Sequence, residues 1–303
     1  MAFKGSWVRV PLSPPKTRCI ASFFNTVDYL NTEVKNMTTQ VIIVLVLSFI
    51  ISVIATLAYA VRIVGVRTRR IAVSFAVFNI FALISRTAYT IQGPLLSKTI
   101  ENRIMQGTAS NMLGTFRWIL LAQTIATITG ALLIPTFIKV FRRAVESFST
   151  HRSMPKLLLH GFSKSGIEQF KKSITRPQKE NFKQLKSLRK IPKKIIVLNF
   201  IAFSISTVSV LASLYAGCLN PALRNTCVTL SSVINGGATL ILFIFVDPYV
   251  SMLTDDVIRG ECLEIEFDRC IIFIVGALIA GTMLAQLLLV PAAKIIGFIA
   301  TSI

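Results

Sequence analysis

Apolar and polar positions along this chain segregate into long blocks rather than short alternations. Six blocks reach the length of about 20 apolar residues that a helix needs to cross a bilayer. They are Val41–Val61, Ile71–Ile91, Trp118–Phe137, Ile195–Ala216, Val228–Val246 and Ile271–Val290. In hydrocarbon each backbone N–H and C=O must find its partner inside the segment, so such blocks form helices. The pattern predicts an all-α integral membrane protein with six transmembrane helices.

The stretch Ala55–Leu96 fixes the orientation. Its first helix runs out into Arg62, Arg67, Arg69 and Arg70, and a second apolar helix follows at once. Cytoplasmic loops collect Lys and Arg, so this turn is expected inside. Lys139–Lys194 carries sixteen Lys and Arg against Glu146, Glu168 and Glu180, which makes it a second inside loop. Two spans separate the two loops, so the assignments agree. Leu95–Phe116, Gly217–Cys227 and both termini are then expected outside. Asp247–Arg269, with seven acidic residues, is expected as an inside loop, because acids contribute little to orientation.

Composition sharpens this picture in two places. Hydrophobic residues make up 53% of the 303 positions and charged ones 15%, too apolar for an ordinary soluble domain. The net charge is +20, and the basic loop holds most of it. No nucleic-acid-binding module accompanies that charge, so no nucleic-acid partner is expected. Within the loop, Ile167, Phe170 and Ile174 share a helical face, as do Phe182, Leu185 and Leu188. Such a stretch suits the anionic inner leaflet or a solvated helix equally well.

Residues 1–36 hold Pro11, Pro14, Pro15 and five basic residues but no apolar core of signal-peptide length. An outside N-terminus would require those charges to cross the membrane. The expectation is therefore an extension with a mis-assigned start, Met37 being the initiator or the first residues dispensable. The domain plan that follows is an extension at 1–36, a first three-helix repeat at 37–140, the basic loop at 141–194 and a second three-helix repeat at 195–303.

The repeat rests on weak matches in consistent order. Ile42-Ile43-Val44-Leu45 pairs with Ile195-Ile196-Val197-Leu198, Asn79 with Asn235 and Pro94 with Pro248. Arg117 pairs with Arg269, Gly130 with Gly281, Pro135 with Pro291 and Lys139 with Lys294. Each half has an odd number of spans, so a duplication would insert the second copy upside down. That gives a 3+3 inverted-topology repeat, the arrangement of many secondary transporters, whose substrate sites lie near mid-membrane.

Candidate chemistry is sparse. Arg86 lies fifteen residues past Ile71, about 22 Å along a helix. An arginine there costs roughly 2.5–3.5 kcal/mol to insert. Two readings fit it: an anion-binding group facing a cavity, or an arginine snorkelling to the outer interface. Thr87, Thr90 and Gln92 add polarity nearby. Asn79 and Asn235 either contact substrate or bond between helices. Arg117 is a further candidate for substrate, or an interfacial anchor. Asp247 stands at the expected inner end of the fifth span, placed to close a gate, to pair with Arg62 or Arg67, or to cap a helix.

Several chemistries find no motif. There is no GxxxxGK[ST] phosphate loop, no HExxH and no GxSxG. Asp255-Asp256 is similar to the acidic motifs of prenyl- and phospho-alcohol transferases, but the second acidic partner is missing. Five cysteines and two histidines show no metal-ligand spacing. Neither an enzyme, a metal nor a cofactor is expected.

Four stretches carry a family resemblance: TLAYAVRIVGVRT (56–68), ISRTAYTIQGPLL (84–96), SSVINGGATLILFIFVDP (231–248) and LTDDVIRGE (253–261). In them the sequence resembles the Amj family of lipid II flippases, from about Met37 to the C-terminus. The resemblance implies a multi-pass protein of the bacterial cytoplasmic membrane. Its implied activity is to move lipid-linked peptidoglycan precursor from the inner to the outer leaflet, with lipid II and membrane lipids as partners. For such cargo Arg86 offers a bidentate grip on pyrophosphate. The alternatives are an ion-coupled exporter of another anion, an integral-membrane lipid-modifying enzyme and a scaffold of the cell-wall machinery.

Overall fold

The computed structural model describes residues 39–107, 112–151 and 193–303, with side-chain surroundings for all of these except 147–151. Among the described residues the chain is helical and no strand occurs. The extension at 1–36, Met37 and the apolar faces at Ile167–Ile174 and Phe182–Leu188 lie outside the described residues. The contacts divide the chain into a short unit, Met1–Thr39, and a unit Gln40–Ile303. The helices below belong to the second.

Six spans form it. Helix α1 is Thr39–Thr68, α2 Ile71–Met105, α3 Met112–His151 and α4 Lys193–Leu219. The fifth span is composite. A 3₁₀ turn at Pro221–Leu223 leads into α5 (Arg224–Ile241), a wide π turn follows at Leu242–Val246, and α6 (Asp247–Arg259) completes it. Helix α7, Glu264–Ser302, is the sixth span.

Each apolar block sits inside its helix, but the helices overrun the blocks. Leu95–Phe116, expected as an outer loop, is helical on both flanks, because α2 runs through Pro94 to Met105 and α3 starts at Met112. Asp247–Arg269, expected as an inner loop, is mostly α6 and the first turns of α7. Only 260–263 connects them. Nor does the third helix stop near Lys139; it continues to His151. Pro94, Pro135 and Pro291 all lie inside helices, a placement that membrane-spanning helices tolerate.

The turns follow residue chemistry. Gly260 adopts φ 80° and ends α6 in the left-handed region that glycine enters at least cost. At the α1–α2 turn a non-glycine does the same job: Arg69 has φ 53°. The N–H of Arg70 returns to the Gly65 carbonyl at 3.1 Å, closing that turn.

Helix α4 is the centre of the bundle, buried almost without break from Val208 to Cys218. It packs along α7 and α5, while α3 packs on α7, α4 and α2. Buried apolar side chains gather in separate layers. One joins Val44, Leu96, Ile100, Phe116, Leu211, Tyr215, Cys227 and Leu289, near the expected outer side. Another joins Ile63 and Val66 of α1 to Val246, Val250, Phe267 and Ile271 at the other side. Buried hydroxyls and amides accompany them: Ser48, Thr56, Gln92, Thr124, Ser204, Ser209, Ser213 and Thr282. Most of the hydroxyls bond back to their own helix, as Thr124 does to Leu120 at 2.9 Å. Glycine sets how closely helices approach at one crossing. A Cβ at Gly130 would stand 2.8 Å from the Cβ of Thr56 on α1.

Candidate functional site: a polar arc on the second span

Helix α2 buries one face only. Ser74, Val77, Ala88, Gln92, Leu96 and Thr99 fall on it and turn toward α1 and α3. At about 100° per residue, Asn79, Arg86, Thr90, Gly93, Ser97 and Glu101 share a different arc, about 80° wide, turned away from that face. Of these Asn79, Arg86, Thr90 and Gly93 are exposed, and Ser97 and Glu101 are half-buried. The arc carries amide, guanidinium, hydroxyl and carboxylate groups along the helix.

Arg86 is the chemical centre of this arc. Its side chain makes no hydrogen bond or ion pair among the described residues. Only its carbonyl is engaged, accepting from Thr90 Oγ1 at 3.0 Å. The neighbouring polar groups do not converge on it. Thr87 bonds back to the Leu83 carbonyl at 3.0 Å. Gln92 is buried and donates to Ser48 Oγ of α1 at 2.8 Å. Six residues separate Gln92 from Arg86, a rotation of about 240° on a helix, so a helical wheel is the signal that separates them. A guanidinium that makes no bond among the described residues, in a helix apolar enough to cross a membrane, has donors to offer a phosphate-bearing ligand.

The two asparagines that the repeat pairs have different surroundings. Asn235 Oδ1 accepts from Ser206 Oγ at 2.7 Å, tying α5 to α4. Asn79 is exposed and makes no such bond among the described residues. Arg117 is exposed near the start of α3, and its carbonyl accepts from Gln286 of α7 at 3.1 Å. The structure therefore keeps Asn79 and Arg86 on one arc and places Asn235 and Arg117 elsewhere.

The charged residues at the expected inner end do meet. Arg62 Nη2 lies 2.6 Å from Asp247 Oδ1, with both side chains partly shielded from solvent. Arg62 stands six residues before the end of α1, about 9 Å inside the helix. Pairing offsets much of the cost of holding either charge at that depth. Arg67 makes a second bond of 2.6 Å to Asp268 of α7. Asp247 ends no helix; it starts α6 in direct continuation of the π turn.

Sequence reasoning missed Asp268 and a cluster at the opposite end. Arg224, at the start of α5, lies 3.4 Å from Glu101 of α2 and donates to the Ser97 carbonyl at 3.3 Å. The span also exposes Asn225, Thr229, Ser232 and Gly236, at helical spacing along α5. The second and fifth spans bury the smallest share of their apolar windows. Among the described residues no group of three His, Cys, Asp or Glu side chains converges to hold a metal ion.

Comparison with known proteins gives this geometry a context. The family model for Amj, described as "Alternate to MurJ", matches residues 47–300. A protein of Bacillus subtilis (strain 168) named "Lipid II flippase Amj" is 36% identical over 267 residues, covering 87% of this chain and 97% of that protein. No solved structure matches the chain. The match runs through all six spans, including the turn of arginines, the polar arc of α2 and the acidic sixth helix, and the chain belongs to the Amj family.

Proposed function

We propose that this chain is a lipid II flippase of the bacterial cytoplasmic membrane. It carries the lipid-linked precursor from the inner to the outer leaflet without breaking a bond. The reading rests on the named relative, which aligns along 97% of its own length. The geometry adds a physical route. Lipid II has a polyprenyl tail, a pyrophosphate and a sugar–peptide head. The tail stays in hydrocarbon while the head needs polar contacts at every depth.

The arc on α2 supplies such contacts. Arg86 takes the pyrophosphate, because its planar fork presents paired donors to phosphate oxygens. Asn79 offers an amide about 10 Å further in, and the threonines present side chains of modest polarity. Asn235 and Arg117 contribute indirectly, through the α4–α5 contact and at the outer interface. Arg62 and Asp247 act as an inner gate, whose pairing ties α1 to the fifth span. In this reading the two halves are inverted repeats. Gly130 supports that assignment by its close approach to Thr56 of α1, and Gly281 by its approach to Phe200 and Ser204 of α4. Each packs the third helix of its half on the first.

The test is transport of lipid II by the purified protein in liposomes, with the lipid recovered chemically unchanged. Arg86→Ala is expected to abolish transport. Arg86→Lys keeps the charge but loses the fork and should retain part of it. Chemical modification of the lipid would instead indicate an enzyme. Wild-type growth of a strain whose sole flippase carries Arg86→Ala would remove Arg86 from the site.

A further inference from the structure

Ion pairs join the first three spans to the last three at both ends of the bundle, and they differ in tightness. At the inner end Arg62–Asp247 and Arg67–Asp268 both measure 2.6 Å. At the other end Arg224 reaches Glu101 at 3.4 Å and the Ser97 carbonyl at 3.3 Å. Charge-assisted N–H···O bonds are strongest near 2.7–2.9 Å, so the inner contacts are firm and the outer ones slack.

The outer cluster is built for exchange. Glu101 has a second cation within reach on its own helix, Lys98 at 3.9 Å. A carboxylate that leaves Arg224 therefore has a replacement partner one turn away, and opening does not leave Glu101 bare. Arg224 is positioned by its own half. A Cβ at Gly217 of α4 would lie 3.1 Å from the arginine Cγ, so the absent side chain there makes room for the stem. Helices α2 and α5 do not pack along their lengths, so the bond links two elements that are free to part below it. The apolar layer close by, with Ile100 and Cys227 fully buried, closes the same end.

We propose that Arg224, Glu101 and the Ser97 carbonyl form an outer clasp between the two halves. It opens as the inner pairs close and shuts as they open. The proposal rests on the flippase reading, in which the head must leave on the outer side. It follows the general behaviour of two-halved carriers, in which one half rocks against the other.

Native cysteines report the clasp. Cys218 and Cys227 are buried beside Arg224. Opening should expose them to a membrane-impermeant maleimide added from outside. Labelling of the full-length protein in sealed vesicles, resolved by residue with mass spectrometry, is expected to rise about fivefold in Glu101→Gln, the scale of one exposed pair. The charge swap Glu101→Arg with Arg224→Glu should return it toward the wild-type rate. Asp247→Asn, which loosens the inner end, should lower it, because coupling between two sites is reciprocal. Unchanged labelling in Glu101→Gln would overturn the clasp, and so would labelling unchanged or raised in Asp247→Asn. Failure of the swap to restore the rate overturns it as well. None of these readouts needs lipid II. If the clasp responds while lipid II stays put, the cargo is wrong and the clasp stands. If lipid II moves and labelling is indifferent, the clasp alone falls.

Discussion

Gly130→Ala tests the tightest glycine contact among the described residues. The new Cβ would meet Thr56 Cβ at 2.8 Å, Cγ2 at 3.2 Å and Oγ1 at 3.3 Å. Carbon atoms sit comfortably at about 3.5–4.0 Å, so α1 and α3 must part by roughly 0.7–1 Å. Thr56 has little room to turn aside. It is fully buried, and its hydroxyl is committed to the Ser52 carbonyl at 2.8 Å. A gap of that size also weakens the other contacts along the crossing, since it forfeits about a quarter to a half of each dispersion well. Overpacking of this kind costs about 1–3 kcal/mol. Alanine returns up to about 1 kcal/mol through helix propensity; a contact as close as 2.8 Å belongs at the upper end of the overpacking range, which leaves a net loss of about 2 kcal/mol. The assay is unfolding of the purified protein in mixed micelles by a denaturing detergent, followed by helix signal. Gly276→Ala is the control, because nothing lies within 4 Å of its new Cβ; its stability should hold or rise. Thr56→Gly removes the opposing Cβ, so in combination with Gly130→Ala it should show favourable coupling of about 1 kcal/mol. A Gly130→Ala protein as stable as the wild type would refute the close crossing.

Two further expectations can be checked in the same micelles. Asp247→Asn or Arg62→Gln alone should each cost about 1–3 kcal/mol, because one charge is left partly buried without its partner. The double variant should lose less than the sum, and strict additivity would mean that the pair contributes no coupling. Arg69→Gly should stabilise the α1–α2 turn by about 1 kcal/mol, since glycine holds a positive φ without the Cβ penalty; a loss of stability would show that the arginine side chain matters more than its backbone strain.

The six spans were legible because lipid imposes a length, and apolar runs of that length are hard to produce otherwise. Helix ends were not, because an apolar block marks where lipid lies and not where hydrogen bonding stops. Asp247–Arg259 shows the difference. Its acids suggest a loop, yet Val250 and Val257 are buried seven residues apart on one face while Asp255 and Arg259 line the exposed side or its edge. The possible partnership of Arg62 with Asp247 could be named from sequence, since opposite charges at one membrane level have few other partners. Arg224 and Glu101 could not, because they lie 123 residues apart and only the packing of α2, α4 and α5 brings them together. Arg86 was conspicuous by residue type. That its side chain makes no bond among the described residues became visible only with the structure, which turns Gln92 toward Ser48.

The π turn at Leu242–Val246 makes the register of the fifth span depend on a single residue. A π turn holds one residue more than the α-helical turn it replaces. Were these five residues, LFIFV, to wind as α-helix with none removed, everything downstream would rotate by about 100°. Asp247 would then swing away from Arg62, and Val250 and Val257 would leave the apolar layer they share with Phe267. The same irregularity gives the span a joint at which α6 can pivot while α5 stays seated on α4. The winding of these five residues therefore acts on the whole inner end of the protein, at a place where no charged side chain announces it.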